Sequence, residues 1–64
     1  MYSNRIKKFR IEKGMTMAEL AYKSGISIGY LCHLEKGRRK NPSVTIMENL
    51  ADALDKTVSE IFFN

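Results

Sequence analysis

Apolar residues recur along the chain at spacings of three and four, and no segment of four or more residues between turn signals alternates throughout between apolar and polar. This spacing is typical of α-helices that bury one face, whereas half-buried strands alternate every second residue. We therefore predict an all-α fold. Five short helices account for the chain, with predicted limits of about 4–13, 17–24, 28–36, 44–54 and 58–62.

Local signals mark the ends of these helices. Thr16 with Glu19, and Thr57 with Glu60, have the spacing of capping boxes, in which each side chain bonds the other residue's backbone N–H. Serine N-caps and closing glycines are predicted at Ser27, Ser43, Gly14, Gly25 and Gly37. The side chains predicted to face the core are Ile6, Phe9, Leu20, Ala21, Leu31, Leu34, Val44, Met47, Leu50, Ala51 and Leu54.

A chain of 64 residues is long enough for one domain, predicted over residues 1–64, and too short for two. Its single cysteine and single histidine exclude an internal disulfide and a four-ligand Cys/His zinc site, so no metal is expected. No apolar run approaches the roughly 18 residues of a membrane span, and the N-terminus has no signal-peptide pattern. We expect a cytoplasmic protein that does not enter a membrane.

The net charge of +4 is unevenly distributed. Residues 1–40 hold ten lysines and arginines against three acids and carry +7, whereas residues 41–64 carry −3. Basicity of this kind suits a polyanionic partner.

Two predicted helices are joined by the three residues Gly25, Ile26 and Ser27, and the second helix has a polar outer face with cations following it. This pattern predicts a helix-turn-helix over about residues 16–36. The pieces, in order, are Thr16-Met17-Ala18-Glu19-Leu20-Ala21, Gly25-Ile26-Ser27, Tyr30-Leu31-Cys32-His33-Leu34-Glu35-Lys36-Gly37 and Asn41-Pro42-Ser43. Their joint spacing resembles the lambda/434 Cro–repressor (Xre-type) helix-turn-helix family over residues 5–62.

The resemblance implies a compact lambda-repressor-like domain whose third helix enters the DNA major groove while the second lies across the phosphates. The helix N-termini and the cations near them suit phosphate oxygens. A solvated surface turn is the alternative interpretation of the basic loop. The predicted phosphate contacts are Met17, Lys36, Arg38, Arg39, Lys40, Asn41 and Ser43.

The exposed face of the third helix is predicted to read bases through Ser27, Ile28, Gly29, Tyr30 and His33. The chain departs from the family here, because Ile28 and Gly29 stand where glutamine, arginine or serine are frequent. Ile28 can contact a thymine methyl, and Gly29 offers only its backbone. We therefore expect His33 to be the main polar reader, the alternative being a surface histidine without a role, and we expect DNA shape to contribute to specificity.

Two further assignments concern single side chains. The resemblance pairs Arg10 with Glu35 as a structural ion pair that joins the first helix to the end of the third. Cys32 lies near the reading face, but a lone thiol without a resolving partner is more often a small side chain than a redox sensor.

An enzyme is not expected, since the sequence has no phosphate-binding glycine loop, no metal-ligand cluster and no paired nucleophile and base. The leading hypothesis is a DNA-binding transcriptional regulator, a repressor from a bacterium, phage or mobile element that occupies a palindromic operator. The resemblance implies repression by occupying that operator and blocking polymerase, so no cofactor is expected. The alternative is a protein-interaction module such as the antitoxin partner of a toxin. We expect the chain to act without the second domain that many relatives carry, so a weak homodimer stabilised on DNA is expected through the C-terminal helix, with Ile61, Phe62 and Phe63 as contacts.

Overall fold

The structure is a computed structural model and describes residues 4–38 and 42–63. Within these residues it contains α-helices and no strand: α1 (Ile6–Glu12), α2 (Met17–Ser24), α3 (Ile28–Glu35), α4 (Val44–Leu54) and α5 (Val58–Phe62). The predicted all-α, five-helix architecture is confirmed. The predicted limits of α2, α4 and α5 agree with those of the structure.

The first helix is shorter at both ends than predicted. Arg5 has φ −109° and ψ 20°, outside the helical range, and the Asn4 side chain accepts the N–H of Ile6 at 3.0 Å. At the other end Lys13 is the C-cap, and Gly14, with φ +72°, turns the chain. Asn4 thus holds the start of α1 by a side-chain bond instead of joining the helix.

The helix caps form as the sequence indicates. Thr16 Oγ1 accepts from the backbone N–H of Glu19 at 3.0 Å, and Glu19 Oε1 accepts from that of Thr16 at 2.8 Å. The Thr57 and Glu60 box has the same two bonds at 3.0 and 2.8 Å. Because the first amides of a helix have no intrahelical acceptor, these side chains decide where α2 and α5 begin.

The core lies where the helices meet. α2 packs against α3 and α4, α4 also packs against α5, and α1 contacts α3 and α4. The apolar side chains at its centre, each 2% exposed or less, are Ile6, Leu20, Ala21, Leu31, Leu34, Leu50, Leu54 and Ile61. Every helix therefore contributes to one core, and the outer face of α3 is left free.

The start of α1 is held by hydrogen bonds that were not predicted from the sequence. The Arg5 backbone N–H donates to the Ile61 carbonyl at 2.9 Å, and its guanidinium donates to the Glu60 carbonyl at 3.1 Å. Asn4 Nδ2 donates to the Leu34 carbonyl at 2.9 Å. These bonds fasten the start of α1 to the ends of α3 and α5.

Two expectations about apolar residues need correction. Val44, the first residue of α4, is 64% exposed and so faces solvent instead of the core. Ile61 and Phe62 are 1% and 8% exposed, so these side chains fill the protein's own core and offer little surface to a second copy. Of the predicted dimer contacts, only Phe63, 63% exposed, presents a large apolar surface.

Candidate nucleic-acid interface

The turn between α2 and α3 sets the angle at which α3 is presented. Gly25 has φ +71°, a conformation that disfavours side chains, and the Ile26 N–H donates to the Ala21 carbonyl at 3.0 Å. Ile26 packs against the core as a partly buried plug. From the neighbouring helix, Asn49 Nδ2 donates to the Ser24 carbonyl at 3.4 Å. α3 is therefore held by backbone geometry and by packing on both sides of the turn.

α3 has one buried face and one exposed face. Leu31 and Leu34 are fully buried, while Gly29, His33 and Lys36 are exposed. The last three follow one another at spacings of four and three, which places them in a single stripe along the helix and its C-cap. The stripe ends in a cation and presents the His33 imidazole near its middle.

The other predicted base readers begin the helix. The Ser27 hydroxyl accepts the N–H of Tyr30 at 3.0 Å, so its oxygen is engaged while its proton remains free to be donated. Ile28 is 52% exposed. Tyr30 is half-buried and packs against the core, which fixes its ring beside the helix. The predicted readers thus share one end and one face of α3, with Tyr30 at the margin.

The N-termini of the helices differ in charge. The first turns of α3 and α4 contain no acidic residue, whereas the Glu19 carboxylate lies over the start of α2. The Thr16 N–H that donates to this carboxylate holds the pKa of Glu19 below its usual value, so Glu19 keeps its negative charge. A partial positive charge therefore remains at α3 and α4, while at α2 it is offset.

The predicted phosphate contacts divide into three groups. Lys36, Arg38 and Ser43 are exposed, and the Ser43 hydroxyl caps α4 by accepting the Ile46 N–H at 3.2 Å. The predictions for Arg39, Lys40 and Asn41 fall outside the described residues. Met17 is partly buried and packs against the core, so only part of its side chain lies at the surface, and its phosphate contact stays a prediction.

The sequence interpretation overlooked one exposed polar residue at this surface. Thr45, the second residue of α4, carries a hydroxyl beside the capping Ser43. The signal was available, since Ser43 fixes where α4 starts and hence which residues make its first turn.

Arg10 and Glu35 lie behind the reading face. Arg10 Nε donates to Glu35 Oε2 at 2.7 Å and Nη2 to Oε1 at 3.1 Å, while Nη1 donates to the Met15 carbonyl at 3.0 Å. The side chains are only 12% and 4% exposed. The hydrogen bond to Glu35 raises the pKa of Arg10, so the guanidinium is charged at any physiological pH. This two-bond pair couples α1 to the C-terminal end of α3.

Cys32 is half-buried and lines a groove together with Met17 and Lys36. Among the described residues, no group of three or more His, Cys, Asp or Glu side chains is placed to hold a metal ion. Across 4–38 and 42–63, none of the helices is both long enough and apolar enough to cross a membrane.

Comparison with known proteins places this geometry in a family. A family model described as "Helix-turn-helix" matches residues 6–61. The HTH-type transcriptional regulator SinR of Bacillus subtilis (strain 168) is 40% identical over 58 residues, which cover 91% of this chain and 52% of SinR. The immunity repressor protein of Bacillus phage phi105 is 42% identical over 57 residues, covering 89% of this chain and 39% of the repressor.

A solved structure of a family member has the same fold. The crystal structure of the master regulator for biofilm formation SinR in complex with DNA superposes with a TM-score of 0.80 at 41% identity, covering 84% of this chain and 86% of that chain. This chain spans about half the length of the full-length SinR that it matches. The chain belongs to the Xre-type helix-turn-helix family of DNA-binding transcriptional regulators.

Proposed function

We propose that this protein is a sequence-specific double-stranded DNA-binding regulator that places α3 in the major groove and represses transcription by occupying an operator. The observation that carries the proposal is the exposed stripe of Gly29, His33 and Lys36 on a helix whose opposite face is fully buried. The proposal is supported by the relatives, which are named as transcriptional regulators and a repressor. We place its action in the cytoplasm, at the nucleoid.

Phosphate contacts supply most of the affinity in this proposal. Lys36 and Arg38 at the end of α3, with Ser43 and the acid-free start of α4, contact the backbone on one side of the groove. Each neutralised phosphate releases a condensed counterion, so the observed affinity falls steeply as salt is added. Arg39, Lys40 and Asn41 remain part of the proposal on the strength of the sequence.

Base reading is proposed for α3, with His33 as its main polar reader. An imidazole can donate to or accept from a base edge in the major groove, and His33 is exposed at the centre of the stripe. Ser27 contributes its free hydroxyl proton, and Tyr30 contacts the DNA from the margin. The Arg10–Glu35 pair acts indirectly, by holding the C-terminal end of α3 in place.

The experiment is selection of bound duplexes from a random library at low salt, followed by affinity measurements across a salt series. We expect an enriched site with half-sites about one helical turn apart, since two-fold dimers of this motif bind in that way. His33→Ala should relax the preference at one base position and keep the others. An unchanged preferred sequence would show that His33 is not a reader, and no enriched sequence at all would overturn the proposed function.

Lys36→Ala and Lys8→Ala form a matched pair for the phosphate contacts. Both variants remove one positive charge from an exposed side chain. Lys8 is the control because it is not among the predicted phosphate contacts: it lies beside the Phe9 ring, which Lys56 of the α4–α5 connection also contacts. Lys36→Ala should weaken binding to all sequences and reduce the salt slope by about one. Lys8→Ala should change neither quantity, and equal effects of the two variants would contradict a localised contact.

Self-association and protein partners belong to the same proposal. We propose a weak homodimer that forms on a palindromic site, with Phe63 as the apolar contact that α5 leaves exposed. Sedimentation of the free chain should then show mainly monomer, with two copies on each selected duplex. A toxin-type protein partner remains a prediction of the sequence.

A further inference from the structure

The first turn of α3 is unusually poor in groups that can bond a base. Ile28 is apolar and 52% exposed, and Gly29 has no side chain. The Ser27 oxygen accepts the Tyr30 N–H, which leaves the hydroxyl proton of Ser27 as the polar group that this turn offers a base. Recognition helices of this motif contact base edges chiefly through their N-terminal residues. Sequence reading at this turn therefore depends on apolar contact more than on hydrogen bonds.

No contact among the residues that the structure describes requires glycine at position 29. A Cβ built on Gly29 meets none of their atoms within 4 Å, and the residue is helical, without the positive φ of Gly14 and Gly25. Glycine is disfavoured in a helix relative to alanine, and here no packing or backbone constraint offsets that cost. Gly29 follows Ile28 in the first turn of α3. Because Gly29 has no side chain, a partner can approach the helix backbone closely at this point.

We infer that Ile28 reads the 5-methyl group of a thymine in the major groove, with Gly29 allowing α3 to come close enough for that contact. The inference rests on the proposed function and specifies its chemistry. Thymine is the only unmodified base that presents a methyl group in the major groove, and apolar side chains recognise it by contact. Ile28 is positioned for this, since it lies at the acid-free end of α3 beside the exposed stripe.

The contact is tested by removing the methyl group from the DNA. In the selected duplex each thymine is replaced in turn by uracil, which differs only by that methyl, and the dissociation constant is measured for the full chain. Burial of one methyl-sized group corresponds to about a fourfold change in affinity. We expect one thymine in each half-site at which uracil weakens binding by about this factor.

Ile28→Ala provides the protein arm, and Ile11→Ala is its matched control. Ile11 is 58% exposed on α1, close to the 52% of Ile28, so both variants remove similar surface without disturbing the core. Ile28→Ala should bind the thymine and uracil duplexes equally, while Ile11→Ala should keep the fourfold difference. A second arm places cytosine or 5-methylcytosine at the same position, where the added methyl should strengthen binding by wild type but not by Ile28→Ala.

The outcomes separate the inference from the function on which it rests. Two results would overturn the inference but not the proposed function. One is selective DNA binding in which no thymine-to-uracil replacement weakens the affinity, and the other is a preference for thymine over uracil that persists in Ile28→Ala. Failure to bind any duplex selectively would instead overturn the proposed function. A uracil effect that both isoleucine variants abolish would show a general loss of binding and would also contradict the assignment to Ile28.

Discussion

Removal of the Glu35 carboxylate should leave a charged guanidinium buried without its partner. Arg10 makes two bonds to Glu35, at 2.7 and 3.1 Å, and the two side chains are 12% and 4% exposed. Breaking one side of such a pair costs about 3–5 kcal/mol. A chain of 64 residues is stable by roughly 3–10 kcal/mol, so Glu35→Ala should consume much of that stability. Thermal unfolding followed by circular dichroism should show Tm lowered by at least about 12 °C.

Two comparison variants identify the cause of that loss. Arg10→Met combined with Glu35→Leu removes both charges and fills the space, so it should recover most of the stability, because well-packed apolar groups can replace a buried pair. Asp55→Asn breaks the exposed Lys13–Asp55 pair, keeps a residue that tolerates the φ of +56°, and should leave Tm nearly unchanged. A loss below about 1 kcal/mol for Glu35→Ala, or a double variant as unstable as the single one, would refute the reasoning.

Three further predictions concern stability. Gly29→Ala should raise the unfolding free energy by roughly 0.5–1 kcal/mol in urea titrations, since its Cβ meets open space, while weakening DNA binding; a stability loss would contradict the open site. Ser24→Ala should raise Tm, because the buried Ser24 hydroxyl has no hydrogen-bond partner among the residues described; a lower Tm would show a bond there. Acidification should lower Tm only below about pH 4.5. The Thr16 and Thr57 N–H groups hold the pKa values of Glu19 and Glu60 below the usual 4.5, so the ionised carboxylates stabilise the folded state. This stabilisation is complete above about pH 4.5 and is lost at lower pH as the carboxylates protonate. Tm should fall less steeply with decreasing pH in Glu19→Gln than in the unchanged chain. A Tm that stays constant down to about pH 3 would show that the capping carboxylates do not stabilise the fold.

Features fixed by neighbouring residues were predictable from the sequence. Thr16 and Glu19 are three residues apart, so their mutual bonds depend only on local geometry and fix the start of α2. The same holds for the Ser27 cap and for Gly25, which together define the helix-turn-helix. The stripe of Gly29, His33 and Lys36 likewise follows from the helical period.

Features that depend on distant parts of the chain were not predictable in the same way. Arg10 and Glu35 are 25 residues apart, and only the family resemblance brought them together. The periodicity of α5 shows that Ile61 and Phe62 share an apolar face but not whether a second copy or the protein's own core covers it. The partial burial of Met17 was not predictable for the same reason, since it depends on how α2 packs against its neighbours.

In the proposed function, the exposed face of α3 is the DNA-binding surface. The most direct measurement is an NMR titration of the uniformly ¹⁵N-labelled full chain with a selected duplex, and with a scrambled duplex at the same salt. A DNA-binding α3 predicts that backbone amides of residues 27–33 and 43–46 shift most and saturate with the selected duplex only, while those of 52–58 change little. Changes centred on 52–58, or shifts that do not distinguish the two duplexes at any salt concentration, would contradict it.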